Sequence, residues 1–171
     1  MKKLLLLRHA KSSWADAHMT DFDRPLNERG LAAAPFMGGI ISRERLIPDF
    51  ILSSPAERAR NTAELVRLGG GLEIEIRYDE RIYEASPQKL QQILAEIDPK
   101  YISVMMVGHN PGIEGLARVL TGVNAEMPTA ALAEIDLNIE DWKDIGPGVG
   151  DHIRVIRPKG RLKVDRDLTS S

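Results

Sequence analysis

Met1-Lys2-Lys3-Leu4-Leu5-Leu6-Leu7-Arg8-His9-Ala10-Lys11-Ser12 opens the chain and decides how everything after it is read. Four consecutive leucines are too short a run for a helix. They suit a strand buried on both faces, as at the centre of a parallel sheet. Such a strand delivers Arg8 and His9 to the space beyond its carboxyl end, where open α/β sheets bind their ligands. A histidine placed there can act as base, metal ligand or nucleophile, and the remaining segments must decide which. Lys2-Lys3 before the leucines resembles the start of a secretory signal. The apolar stretch stops at Arg8, however, well short of the roughly 7–15 residues such a core needs. No window approaches the roughly 18 apolar residues of a membrane span. The expectation is a soluble, unprocessed chain without membrane contact.

A length of 171 residues fits one domain with a real core. The formal net charge of -2 provides no general attraction to nucleic acid. There is no cysteine, which removes disulfides, thiolate nucleophiles and cysteine-ligated zinc, and agrees with a cytoplasmic address.

Outward from the first strand, Ser13 to Pro25 is polar and reads as a loop. Asp21-Phe-Asp23 within it resembles a paired-carboxylate metal site but follows no strand, so a solvated loop is expected, with His18 an ordinary surface residue. Trp14 either walls the pocket or simply packs. Asn27 is placed to cap a helix running to about Arg45, with Pro35 inside it. Asp49 to Ser53 is a second buried strand. Ser54-Pro55-Ala56-Glu57 after it has the form of a capping box that starts a helix at Ser54 and puts Arg58 in its first turns. Glu73 to Arg77 alternates as a more exposed strand. Ser86-Pro87 opens a helix burying Leu90, Ile93, Leu94 and Ile97. Tyr101 to Val107 is a further buried strand, ending in Gly108-His109-Asn110-Pro111, where Asn110 can cap the next helix. From Pro128 the pattern turns to a pair of strands, Ala131–Asn138 and Ile153–Arg157, with His152 structural. Residues 159–171 are expected to fray after a domain of residues 1–158.

Strands alternating with helices imply a single-domain α/β fold: a mostly parallel central sheet, helices on both faces and a C-terminal strand pair. Right-handed crossovers bring the strand-to-helix junctions to one edge of the sheet. Arg8, His9, Arg58 and His109 then converge on a pocket suited to a dianionic phosphoryl group. Each guanidinium can grip two of its oxygens, and helix starts at Ser54 and Asn110 would add N–H groups. No metal site is expected, since two histidines lack a convincing third ligand.

Arg8-His9, Ser53-Ser-Pro-Ala-Glu-Arg58-Ala-Arg-Asn-Thr62-Ala-Glu and Val107-Gly-His109-Asn together resemble the histidine phosphatase superfamily. Within it, Arg8-His-Ala-Lys-Ser, Asp23-Arg-Pro-Leu-Asn-Glu-Arg-Gly30 and Gly108-His-Asn-Pro-Gly resemble the small phosphohistidine phosphatases of the SixA type. The resemblance spans about Lys3 to Pro158 and implies a phosphoglycerate mutase-like fold. It implies His9 as the phosphorylated nucleophile, Arg8 and Arg58 as phosphate ligands, and His109 as the second pocket histidine with a catalytic and phosphate-binding role. His9 must then keep one ring nitrogen unprotonated, its other nitrogen donating to a backbone carbonyl. Arg81-Ile-Tyr-Glu84 resembles the segment that carries the general acid, which makes Glu84 the first candidate and Glu80 the second. Ala10 stands where many members have Gly, and Asn27 where Thr is common.

The chain has little length to spare for insertions that cover the pocket, and an open site admits a phosphohistidine presented on another protein. The expected activity is metal-independent, cofactor-free hydrolysis of protein phosphohistidine through a phosphorylated His9, with a partner such as a phosphotransfer domain. The alternatives are a phosphatase of small phosphate monoesters using the same chemistry, and a phosphate-recognition module without turnover.

Overall fold

A computed structural model describes residues 1–158 and 162–167. The leucine run forms β1 (Lys2–Arg8), with all four leucines fully buried. Because side chains alternate across a strand, the run feeds two cores. Leu4 and Leu6 pack with α3 (Pro87–Ala95) and α4 (Gly112–Thr121), while Leu5 and Leu7 pack with α1 (Glu28–Arg43) and α2 (Glu57–Gly70). The result is the expected helix–sheet–helix sandwich.

The other strands are β2 (Phe50–Ser53), β3 (Glu75–Tyr78), β4 (Ser103–Gly108), β5 (Leu132–Leu137), β6 (Gly150–Ile156) and β7 (Leu162–Asp167). They form one seven-stranded sheet in the order β3-β2-β4-β1-β5-β6-β7. From β3 to β1 every pairing is parallel, and from β1 to β7 every pairing is antiparallel. The parallel half is the expected βα layout, and β5–β6 is the expected C-terminal pair. A frayed end was expected beyond Pro158. Instead β7 pairs with β6 and covers an edge that would otherwise present unpaired backbone groups. The rest of that expectation falls on residues 159–161 and 168–171, outside the described ones.

Two helix starts differ from the expectation. Asn27 caps α1 as read, its side chain accepting from the Gly30 N–H at 3.0 Å. Ser86 likewise caps α3 through the Lys89 N–H at 3.1 Å. Ser54, by contrast, does not cap α2, which begins three residues later behind Ala56. Its hydroxyl accepts from the Ala56 N–H at 3.2 Å and is shared with His109, so the side chain is drawn into the site. α4 starts at Gly112, although the Asn110 side chain still accepts from the Glu114 N–H at 3.2 Å. The two candidate N–H-rich ends therefore sit one to three residues further along than the sequence suggests. At Gly30 a Cβ would lie 2.2 Å from the Lys11 carbonyl, so only glycine lets α1 press on the segment leaving β1.

Candidate active site

The carboxyl ends of β1, β2 and β4 lie side by side. The register pairs Arg8 with Gly108 and Ser53 with Val107, so the residues that follow these strands face one another. The His9 N–H donates to the Gly108 carbonyl at 3.0 Å, and the Ser54 N–H to that of Val107 at 3.0 Å. This backbone lattice brings His9 and His109 to a ring separation of 5.2 Å, tilted by 52°. Arg58, in the first turn of α2, is buried and joins them. Arg8 anchors one end of its guanidinium on the Met127 carbonyl at 3.1 Å. Arg8, His9, Arg58 and His109 are thus brought together, as the sequence suggests.

His9 is 7% exposed, and its Nδ1 lies 2.8 Å from the Ala10 carbonyl oxygen. A carbonyl can only accept, so Nδ1 carries the proton and Nε2 keeps its lone pair. Burial pushes the imidazole down to about 4, assisted by the Arg58, Arg8 and Arg24 cations and opposed by the Ala10 bond. The ring is therefore neutral at ordinary pH. Burial, with His9 and Arg58 nearby, pushes His109 down to about 3. Nε2 of His109 is 2.8 Å from the Ser54 hydroxyl. Nδ1 of His109 and Nε of both Arg8 and Arg58 are buried without a hydrogen-bond partner in the protein. Buried polar atoms without a partner are costly, and all three belong to residues that converge here.

Thr62 secures the floor from below. Its hydroxyl donates to the Arg58 carbonyl at 2.6 Å and accepts from the Ala10 N–H at 2.9 Å, tying α2 to the segment after β1. Ala10 is fully buried beside that contact.

Above the floor lies a cleft of about 530 Å³ lined by, among others, Asp21, Arg58, Tyr83, Glu84 and His109. Glu84 is exposed and sits at φ 56°, a left-handed conformation that is uncommon for a side-chain-bearing residue and concentrates at functional sites. Glu80, the second acid candidate, is exposed in the turn Glu80–Ile82 and does not line the cleft.

The segment read as a solvated loop requires a correction. Asp21 accepts from Arg58 through its carbonyl at 2.7 Å and its carboxylate at 3.1 Å. The same carboxylate oxygen accepts from the Tyr83 hydroxyl at 2.5 Å, and the other oxygen from Arg24 Nε at 3.1 Å. The Tyr83 bond, then Arg58 and Arg24, hold the Asp21 carboxyl at about 2. Burial and the Asp21 carboxylate push the Tyr83 phenol up to about 12. Trp14 does not wall the pocket: it is 76% exposed, and its ring backs the buried Arg24 guanidinium at 3.5 Å. Asp21, Arg24, Tyr83 and Ser54 were the residues that sequence reasoning missed. Their contacts join positions as far apart as 62 residues, for which no local pattern exists.

Among the described residues no group of three or more His, Asp or Glu is arranged to hold a metal ion, and no helix is long and apolar enough to cross a membrane.

The model of the histidine phosphatase superfamily (branch 1) matches residues 4–107. This chain belongs to that superfamily. The crystal structure of a protein assigned as phosphohistidine phosphatase SixA from Agrobacterium tumefaciens is similar at 35% identity. Its TM-score is 0.74, over 80% of this chain and 92% of that one. An uncharacterized Mycobacterium tuberculosis protein is 31% identical over 162 residues, 86% of this chain and 99% of its own. A 2,3-bisphosphoglycerate-dependent phosphoglycerate mutase of Bifidobacterium longum is 34% identical over 90 residues, 48% of this chain and 37% of its own. The fold of this histidine phosphatase is of the SixA type, and its family activity is that of a phosphatase.

Proposed function

We propose that this histidine phosphatase hydrolyses phosphohistidine on proteins through a covalent phosphohistidine intermediate on His9, without a metal ion or other cofactor. The observation that carries the reading is the Nδ1-to-Ala10 carbonyl bond, which leaves a neutral His9 with its Nε2 lone pair free amid cationic side chains. In the first step Nε2 forms a bond to phosphorus as the substrate's own P–N bond breaks, and the substrate imidazole leaves. Arg8 and Arg58 neutralise the equatorial oxygens, and His109, steadied by Ser54, provides a further hydrogen bond. In the second step the oxygen of water bonds to phosphorus, the Nε2–P bond breaks, and inorganic phosphate departs. Glu84, which lines the cleft, donates a proton to the leaving group and then accepts one from water in this reading.

Substrate choice rests on two supports: the likeness to a SixA structure at 35% identity and a broad cleft in which a protein-borne ring has room. A phosphohistidine-bearing partner such as a phosphotransfer domain, in cytoplasmic signal transduction, is the setting this reading implies. The runner-up, a phosphatase of small monoesters, draws on the partial match to the mutase.

The test uses the purified full chain, a phosphohistidine-bearing phosphotransfer domain and a chelator. Inorganic phosphate should be released at the same rate with and without chelator. Release from small monoesters alone would favour the runner-up, and a chelator-sensitive rate restored by metal would refute the metal-free chemistry.

A further inference from the structure

The cleft is lined by groups of both signs. Asp21, Tyr83 and Glu84 line it together with Arg58 and His109, and Tyr83 stands edge-on to the His109 ring at 5.5 Å. An in-line displacement sends the leaving group directly away from the nucleophile. With His9 as nucleophile, the leaving group departs away from that ring, into the cleft that Asp21, Tyr83 and Glu84 help to line.

Formal charges make that cleft selective. The guanidiniums of Arg8, Arg24 and Arg58 stand against the carboxylates of Asp21 and of Glu114, whose charge acts on Arg8, while Glu84 holds the proton it donates and burial keeps both histidines neutral. The site thus carries a single positive formal charge, and a dianionic phosphoryl group already overshoots it by one. A second anion on the leaving group deepens the excess. A cation on the leaving group cancels it. Asp21 is anionic throughout the neutral range and is fixed rather than mobile, with bonds from Arg58, Arg24 and Tyr83.

We propose that Asp21 is a specificity-determining residue that admits phosphoryl compounds with a cationic leaving group and rejects those carrying a second anion. Protonated phosphohistidine and other phosphoramidates of basic side chains belong to the first class, and phosphorylated carboxylic acids to the second. This rests on the proposal that His9 attacks phosphorus, which fixes the leaving-group side. It assigns the preference to a loop carboxylate, not to the phosphoryl floor.

Asp21 also steadies Arg58, so its removal weakens every substrate to some extent. That common loss cancels in a ratio between two ligands of equal size and opposite charge. Phosphoethanolamine and phosphoglycolate form such a pair, and titration calorimetry on the full chain carrying His9→Ala measures their binding without turnover. Phosphoethanolamine should bind more tightly. Asp21→Asn, which keeps an oxygen acceptor for Arg58, should shrink the preference about tenfold at low salt, as expected for one unit charge several ångströms away. Asp21→Glu should restore most of it. Equal weakening of both ligands by Asp21→Asn would overturn the proposal and leave Asp21 as a support for Arg58. No preference in the parent, or no binding of either ligand, would overturn it as well. A protein phosphohistidine that is not hydrolysed, alongside an intact charge preference, would instead count against the proposed function alone.

Discussion

His9 and Asp21 belong to one candidate site but are held there in different ways. His9 extends directly from a central strand, and its N–H, ring and neighbour Ala10 are each bonded to buried partners. Asp21 lies on a loop, is 44% exposed at its side chain, and depends on bonds from Arg58, Arg24 and Tyr83. The floor is part of the sheet's own register and cannot shift without disturbing the fold. The rim is a small polar network at the surface, where an exposed ion pair contributes roughly 0–1 kcal/mol. On the roles proposed above, the chemistry is fixed by the core, while selectivity rests on elements that can vary at little structural cost.

The sharpest way to break this comparison is at His9. His9→Ala should reduce phosphohistidine hydrolysis to background while leaving circular dichroism and thermal unfolding cooperative. The parent chain should carry acid-labile, base-stable phosphate during turnover. Phosphate mapped to Ser54, Asp21 or His109 would transfer the nucleophile's role elsewhere. Arg58→Ala comes next, with an expected loss of about a hundredfold, ~3 kcal/mol of barrier. Lys at this position should recover only part of it, because an ammonium cannot reproduce the fork. An active Arg58→Ala enzyme would mean that Arg58 serves the Asp21 network and not the phosphoryl group.

Glu84 separates floor from rim by substrate. Glu84→Gln should slow an alkyl phosphate by roughly 10²–10³, since an alkoxide needs a proton to leave. On protein phosphohistidine, whose imidazole leaves more readily, the loss should be about tenfold or less. Equal large losses on both substrates would assign Glu84 another task.

The pH dependence sharpens the floor side. His9 and His109 titrate in the folded chain near 4 and 3, below the ordinary histidine value near 6.5. As pH falls through 6.5 the unfolded chain binds protons that the folded one refuses. The full stability therefore holds above that pH and is lost progressively down to the folded values, by on the order of 3 kcal/mol per ring. Urea titrations across this window should show a shallower slope for His109→Gln. An unchanged slope would place the acid sensitivity in other groups. Trp14→Ala marks the small end of the scale. It removes a cation–π contact of about 0.5–1 kcal/mol at an exposed site. Thermal unfolding should move by a few degrees at most, and a large shift would mean that the rim is tied to the core after all.

Much of this protein was determined by local sequence alone. The buried leucine run, the Asn27 and Ser86 caps, and the repeated strand-to-helix junctions followed from short-range sterics and hydrogen bonding. Together they placed Arg8, His9, Arg58 and His109 at one sheet edge. Where Ser54 would point was not legible, because its capping pattern competes with a histidine 55 residues away, and in the folded chain its hydroxyl meets both that ring and a local N–H. Asp21 was misread for the same reason: a carboxylate in a polar loop looks solvated until the fold brings Arg58 and Tyr83 to it, 37 and 62 positions along the chain. Hydrophobic periodicity and capping act over a few residues and leave their mark in the sequence. Polar contacts between distant segments leave none, and only the tertiary structure decides them.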